Sequence, residues 1–241
     1  MFKRLVVISV SVMIAASASF GAKLPKFGAD IGRKANPIPN MPEIRVPYLD
    51  LQSYFGYVKP GSDPDEIIDG KKMYYLYLWI PVVVPEIGVR MVSPGNAFGK
   101  PKKGKDFVSA NWSEGASDKS YFDTWIKVER AVEILGPEAI KEKAETTSWI
   151  TYDYNDDSSE LPANPSGSKY NSCLRITSSV SDPLKALVRG LYRIGFTTYK
   201  VGEVQGTFLA QVGSPIKLPG VVLAKDIDGI LAGIEAAKEK K

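Results

Sequence analysis

The chain has 241 residues, 44% of them hydrophobic, with 31 Lys and Arg against 27 Asp and Glu. That is enough for one sizeable core without a second domain. The formal charge of +4, falling to +2 if Lys3 and Arg4 leave with an export segment, is too small to argue for nucleic acid. The absence of histidine and the single cysteine, Cys173, exclude a Ser-His-Asp or Cys-His catalytic set, a histidine-bearing zinc site, a CxxC redox pair and an intramolecular disulfide.

The first residues have the layout of a secretory signal. Lys3 and Arg4 form a charged head, Leu5 to Ala16 an apolar run too short to span a bilayer, and Ala16-Ser17-Ala18 a small-x-small cleavage pattern. Residues 1–22 are therefore expected to be a signal peptide cut after Ala18 or Ala22. No cysteine lies near either junction, so no thioether-linked lipid is expected. Mass spectrometry of the exported protein should show that segment missing and no acyl adduct; an intact Met1 or a lipid mass would contradict this reading. Residues 23–45, rich in Pro, Gly, Lys and Asn, read as an extended arm, and 46–241 as one domain.

Met73 to Val84 is a long apolar run bounded by Gly70 and Pro85, which predicts a central strand broken or bulged at Pro81, with Val89–Val92 as a short partner. Residues 94–120 read as loop. Its basic stretch, Gly99 to Lys105, is either solvated or a site for acidic ligands. Trp125 to Val132 returns to strand, with Ile126, Val128 and Val132 on one face. Pro137 opens a helix reaching about Glu145. Residues 151–168 form a polar loop, and Leu174 to Val180 a strand that follows Cys173, a small residue expected to be buried. Asp182-Pro183 caps a short helical turn.

The segment from Leu187 to Val212 sets the fold class. Tyr192, Ile194, Phe196 and Thr198 alternate on one face of a strand; Val204, Gly206, Phe208, Ala210 and Val212 do so on the next. Lys200-Val201-Gly202 predicts a short hairpin loop with Gly202 at positive φ, and Phe196 and Phe208 should face each other in the core. From Lys225 the spacing of Ile227, Ile230, Leu231 and Ile234 predicts an amphipathic C-terminal helix, packed on the sheet or binding a membrane surface or partner. Its early aspartates, Asp226 and Asp228, and its late lysines suit the helix dipole. The class is mostly β, an antiparallel β-sandwich with peripheral helices.

Asp153-Tyr154-Asn155-Asp156-Asp157 is the densest cluster of hard oxygen ligands. Alternating oxygens at Asp153, Asn155 and Asp157 resemble the head of a calcium loop, but Ser158 and Asn164 stand where an EF-hand needs Gly and Glu. The run alone reads more readily as a solvated acidic loop than as a metal site.

Six stretches in this order resemble the major surface lipoprotein family of pathogenic leptospires. They are GYVKPG from Gly56, YYLYLWIP from Tyr74, GVRM from Gly88 with Ser93-Pro94 after it, FDTWI and VER from Phe122, KYNS from Lys169, and LVRGLYRI with FTTYK from Leu187. That family is calcium-binding and haemolysis-associated, with a jelly-roll β-sandwich. The resemblance implies Ca2+ ligands at Asp123 and Thr124 of FDTWI, at Asp156 and Asp157, and at Tyr170 of KYNS. The family's acidic block is longer; Tyr154 and Asn155 interrupt it here, which implies modest affinity. The resemblance also implies a secreted or cell-envelope protein with a non-enzymatic binding role, including adhesion to extracellular matrix or to surface glycans and proteins. Trp149, Tyr152 and Tyr154 are candidates for its ligand surface. Two alternatives from other classes are an inert envelope scaffold and a glycan-active enzyme using Asp123 with Asp156 or Glu129 as acid and base.

Overall fold

The computed structural model describes residues 24–25, 33–35 and 44–239. The expected signal peptide and most of the arm lie outside these residues. In chain order the strands are β1 (Arg33–Ala35), β2 (Ile44–Val46), β3 (Asp50–Val58), β4 (Glu66–Ile68), β5 (Lys71–Ile80), β6 (Glu86–Val92), β7 (Phe107–Val108) and β8 (Thr124–Ala131). The helical turn α1 (Ile140–Lys143) follows, then β9 (Trp149–Asn155), β10 (Ser172–Thr177), β11 (Gly190–Thr198), β12 (Gly206–Ser214), β13 (Val222–Ala224) and helix α2 (Ile227–Lys238). One sheet has the order β10-β6-β12-β3-β7; the other runs β13-β5-β11-β8-β9, with β4 also on β5. Within the arm, β1 and β2 pair antiparallel. From β9 onward the chain alternates sheets at every strand, building a sandwich.

Period-two patterning explains the core between the sheets. Tyr74, Leu76, Leu78 and Ile80 of β5, Ile126 and Val128 of β8, and Tyr192, Ile194 and Phe196 of β11 face Tyr54, Val89, Met91, Phe208, Ala210 and Val212 of the other sheet. The run Met73–Ile80 is apolar throughout because its second face is covered as well. Trp79 packs in a second cluster with Leu191, Val222 and Ile230 and Ile234 of α2. The C-terminal helix thus lies against the sheet, with Asp226 capping it by accepting from Gly229 N–H at 2.7 Å.

Several expectations need correction. Pro81 ends β5 rather than bulging it, since proline cannot donate to the ladder. Val89–Val92 belongs to β6, which pairs with β10 and β12 in the opposite sheet, so it is not a partner of β5. The stretch 94–120 contains the short strand β7, the one parallel pairing among the described residues. Of the helix expected from Pro137, the structure forms a 3-10 turn over Pro137–Ala139 and then α1. Of the three residues assigned to one face of β8, Ile126 and Val128 are buried, but Val132 lies beyond the strand and is exposed. Cys173 is buried as expected, which pushes its thiol up to about 11.

The largest correction concerns Leu187–Val212. Both strands form with the assigned faces buried, but they do not pair with each other. β11 lies between β5 and β8, whereas β12 lies between β6 and β3. The connection crosses from one sheet to the other, so Phe196 and Phe208 meet across the sandwich, ring centroids 4.8 Å apart. Alternation reports which side of a strand is buried and is silent about which strand it joins. Gly202 is not among the described positive-φ residues; Gly206 is, at φ 109°, and a Cβ there would stand 2.1 Å from Ser120 O.

Candidate metal site at one end of the sandwich

Four chain segments meet where β8 begins. Thr124 N–H donates to Tyr170 O at 3.0 Å, and Tyr199 N–H, just after β11, donates to Asp123 O at 3.3 Å. Ser172 Oγ donates to Asp156 O at 2.8 Å, which ties the acidic segment to the start of β10. Asp123, Thr124, Asp156, Asp157 and Tyr170 therefore gather at one end of the molecule from segments distant in sequence.

A buried polar network builds this end. Thr124 Oγ1 accepts from Ser172 N–H at 2.9 Å and bonds Ser172 Oγ at 2.9 Å, while Ser172 Oγ also reaches Thr124 O. Ser93 N–H donates to Asn171 Oδ1 at 3.0 Å, Ser93 Oγ donates to Thr207 O at 2.9 Å, and Asn171 Nδ2 donates to Pro162 O at 2.8 Å. Ser93, Thr124, Asn171, Ser172 and Thr207 are all 0% exposed. Satisfied polar groups in such a low-dielectric setting fix geometry because breaking any bond strands its partner. The network joins the ends of β6, β8, β10 and β12, and so both sheets.

The five predicted ligands have different freedoms within this frame. Asp123 is half-buried, and its Oδ1 is buried without a hydrogen-bond partner. Burial first, then the charges of Asp157 and Asp156, pushes its carboxyl up to about 6, against the opposing pull of Lys200 and Lys71. Asp157 is exposed, and its carboxyl is also raised, by partial desolvation and by Asp156. Asp156 Oδ1 accepts from Asp157 N–H at 2.9 Å. Tyr170 turns its carbonyl to Thr124 while its side chain is 40% exposed. The Thr124 hydroxyl is engaged with Ser172 in the buried network. Among the described residues no three acidic or cysteine side chains draw close enough to form a ready-made metal cage. The carboxylates sense one another's charge while remaining apart.

The polar loop expected over 151–168 begins later than predicted, because β9 extends to Asn155. The alternation of Asp153, Asn155 and Asp157 is partly the period of a strand. Asn155 Oδ1 accepts from Cys173 N–H at 3.0 Å and bridges the edge strands of the two sheets. Asp153 Oδ1 accepts from Tyr154 N–H at 2.9 Å.

The expected aromatic surface is also different. Tyr152 is buried, its hydroxyl donating to Ala186 O at 2.7 Å and accepting from Arg130 Nε at 3.0 Å. Trp149 packs under the Arg193 guanidinium, 4.2 Å from the ring centre. Tyr154 alone of the three is free, 63% exposed and stacked on Trp125 at 5.7 Å. Lys71 Nζ lies 5.8 Å from Trp125 and 5.6 Å from Tyr199, completing a surface beside Asp123. Sequence reading missed Trp125, Tyr199 and Ser172; the aromatic following FDT and the Ser closing KYNS were the available signals.

Glu129 does not complete an acid–base pair with Asp123. It is buried on the opposite face of β8 from Ile126 and Val128. Its carboxylate accepts from Arg193 Nε at 2.7 Å, Lys127 Nζ at 2.9 Å and Thr151 Oγ1 at 3.1 Å. Burial pushes its carboxyl up, but the two cations outweigh that and hold it below the usual range.

The sequence pattern of the Lipl32 family, described as surface lipoprotein of the Spirochaetales order, matches residues 42–223. Among curated proteins none matches the chain. No helix among the described residues is long and apolar enough to cross a membrane.

Proposed function

We propose, from the premise that the chain belongs to the family of surface lipoproteins of the Spirochaetales order, that it is a calcium-binding β-sandwich with a non-enzymatic binding role at the cell surface. Family membership supports surface exposure. The observation that carries the calcium reading is Asp123, a half-buried carboxylate with an orphaned Oδ1, its proton affinity raised by burial and by the charges of Asp157 and Asp156. Carboxylates that repel one another on a preformed frame are relieved by a hard cation, and calcium takes six to eight oxygens at flexible geometry. Asp123, Asp156 and Asp157 would supply carboxylate oxygens and Tyr170 its carbonyl. A short adjustment of the 156–170 segment would bring the exposed Asp157 in. Trp125, Tyr154 and Tyr199, beside the same end, are the natural contact surface for a matrix or glycan partner.

Calorimetry on metal-stripped protein should give one-site calcium binding with a dissociation constant of roughly 10⁻⁷ to 10⁻³ M. Asp157→Ala should abolish the heat while leaving the fold intact, since the side chain is exposed. Magnesium should bind poorly, because it demands tighter octahedral geometry. A wild-type protein that releases no heat with calcium would leave the acidic end a solvated surface.

A further inference from the structure

The outer face of the β10-β6-β12-β3-β7 sheet carries a polar ladder where apolar packing or open solvent would be cheaper. Ser53 of β3, Gln211 of β12 and Arg90 of β6 stand in register on three neighbouring strands. Gln211 Nε2 donates to Ser53 Oγ at 2.8 Å, Arg90 Nε donates to Gln211 Oε1 at 2.8 Å, and Arg90 Nη1 donates to Pro25 O at 2.9 Å. These residues are 7%, 8% and 3% exposed respectively. Burial lowers the Arg90 pKa to about 10, which still leaves it charged at neutral pH.

A cleft of about 500 Å³ opens beside the ladder. Its floor is the ladder together with Phe55 and Leu209; its rim is the loop that the sequence marked as basic. Lys100, Lys102 and Lys105 stand on that rim. Among the described residues Asp106 is the one acidic residue lining the cleft, and its Oδ2 accepts from Lys102 N–H at 2.7 Å. Asp106 N–H and Lys105 N–H in turn donate to Lys102 O at 3.0 and 3.1 Å. The carboxylate therefore folds the loop into a fixed turn that presents the lysines together. Among the described residues three rim lysines, the engaged Arg90 and one engaged carboxylate line this cleft, in a chain whose total formal charge is only +4. A concave wall dominated by one sign of charge focuses the field on an anion.

We propose that this cleft binds a phosphate ester carried on a polyol, either a soluble sugar phosphate or the headgroup of an anionic lipid. Lysine ammonium groups act as point charges that suit the phosphate oxygens. The volume exceeds that of one phosphate, and the second Gln211 amide hydrogen and the Ser53 hydroxyl hydrogen, neither used in the ladder, together with the Phe55 ring, offer hydrogen bonds and an apolar face to a polyol. The site is separate from the acidic end and does not depend on calcium there.

The test uses the whole protein in chelator. Calorimetry with glucose 6-phosphate and with inorganic phosphate measures the soluble source. Cosedimentation with phosphatidylcholine vesicles, with and without phosphatidylglycerol, measures the headgroup source. At least one source should bind. The combined Lys100→Gln, Lys102→Gln and Lys105→Gln variant should weaken binding about tenfold or more, and added salt should weaken it too. A control variant with Lys119→Gln, Lys141→Gln and Lys217→Gln, three exposed lysines elsewhere, should bind like wild type. Glucose 6-phosphate binding identifies the soluble source, and binding only to phosphatidylglycerol vesicles identifies the headgroup. Failure to bind either source, equal loss in both triple variants, or inorganic phosphate bound as tightly as the ester would overturn the proposal.

Discussion

Truncating Phe208 to alanine should cost about 3–5 kcal/mol of folding free energy. The ring is 3% exposed and lies in the core between the two sheets. It meets Phe196 at 4.8 Å, Tyr54 at 6.1 Å and Phe122 at 6.5 Å between centroids. Its cross-strand partner is Gly56, and a Cβ there would come within 2.1 Å of Phe208 Cζ. The ring occupies the space that a side chain at Gly56 would take. A close-packed core relaxes only partly around a deleted ring, so truncation adds a cavity to the lost transfer energy. Urea melts with an unchanged m-value should report the loss. A Phe196→Ala and Phe208→Ala double-mutant cycle should show coupling of about 0.5–1.5 kcal/mol. A Phe208→Ala cost under about 1 kcal/mol would mean that the inward face of β12 has been misassigned.

The second large effect is on pH and calcium together. The Asp123 carboxyl is raised from 3.8 to about 6 in the folded protein, chiefly by burial and then by Asp157 and Asp156. The folded state therefore binds this proton more tightly than the unfolded chain does. The resulting stability is fully present below pH 3.8 and is lost as pH rises through about 6. Metal-free wild type should lose melting temperature across that window, and Asp123→Asn, which cannot ionise, should flatten the loss. Calcium should restore the temperature above about pH 6, where the carboxylate is ionised, by an amount that grows with concentration, and should do little near pH 4. Parallel pH curves for wild type and Asp123→Asn would show that Asp123 carries no such strain. A melting temperature at neutral pH identical in millimolar calcium and in chelator would sink the metal site.

The legible part of this molecule was the sidedness of its strands. Alternation along Tyr192–Phe196 and Phe208–Val212 placed each of those residues in the core, because burial of one face leaves a period-two record in sequence. Strand partnership leaves no such record. A turn-like Lys200-Val201-Gly202 suggested a hairpin, yet the chain crosses between sheets there, and only three-dimensional packing decides that. At the candidate site the motifs named residues from three separate stretches, 123–124, 156–157 and 170, that lie near one another at one end. They did not reveal that Thr124 and Ser172 are bound to each other, since a buried hydroxyl and a ligand hydroxyl look alike in sequence. Asn155 was misread for the same reason. Its amide closes the seam between β9 and β10, a role that resembles a loop ligand until the strand is seen to continue through it.

The pairing order of the sheets bears on when this protein can fold. β3, near the start of the domain, takes its long partner from β12, with Gln52 opposite Val212; β5 is flanked by β11 and β13. Neither sheet can close until residues beyond about 190 have left the ribosome, and the first strands made have no long neighbour to zip onto before that. β8 and β9, and then β6 and β10, can pair earlier, but neither sheet can be completed over most of synthesis, and apolar segments such as Met73–Ile80 wait without their long partner. An incomplete sandwich is also easier to thread through a narrow translocation pore than a closed one, and this strand order delays closure until nearly all of the chain has been made.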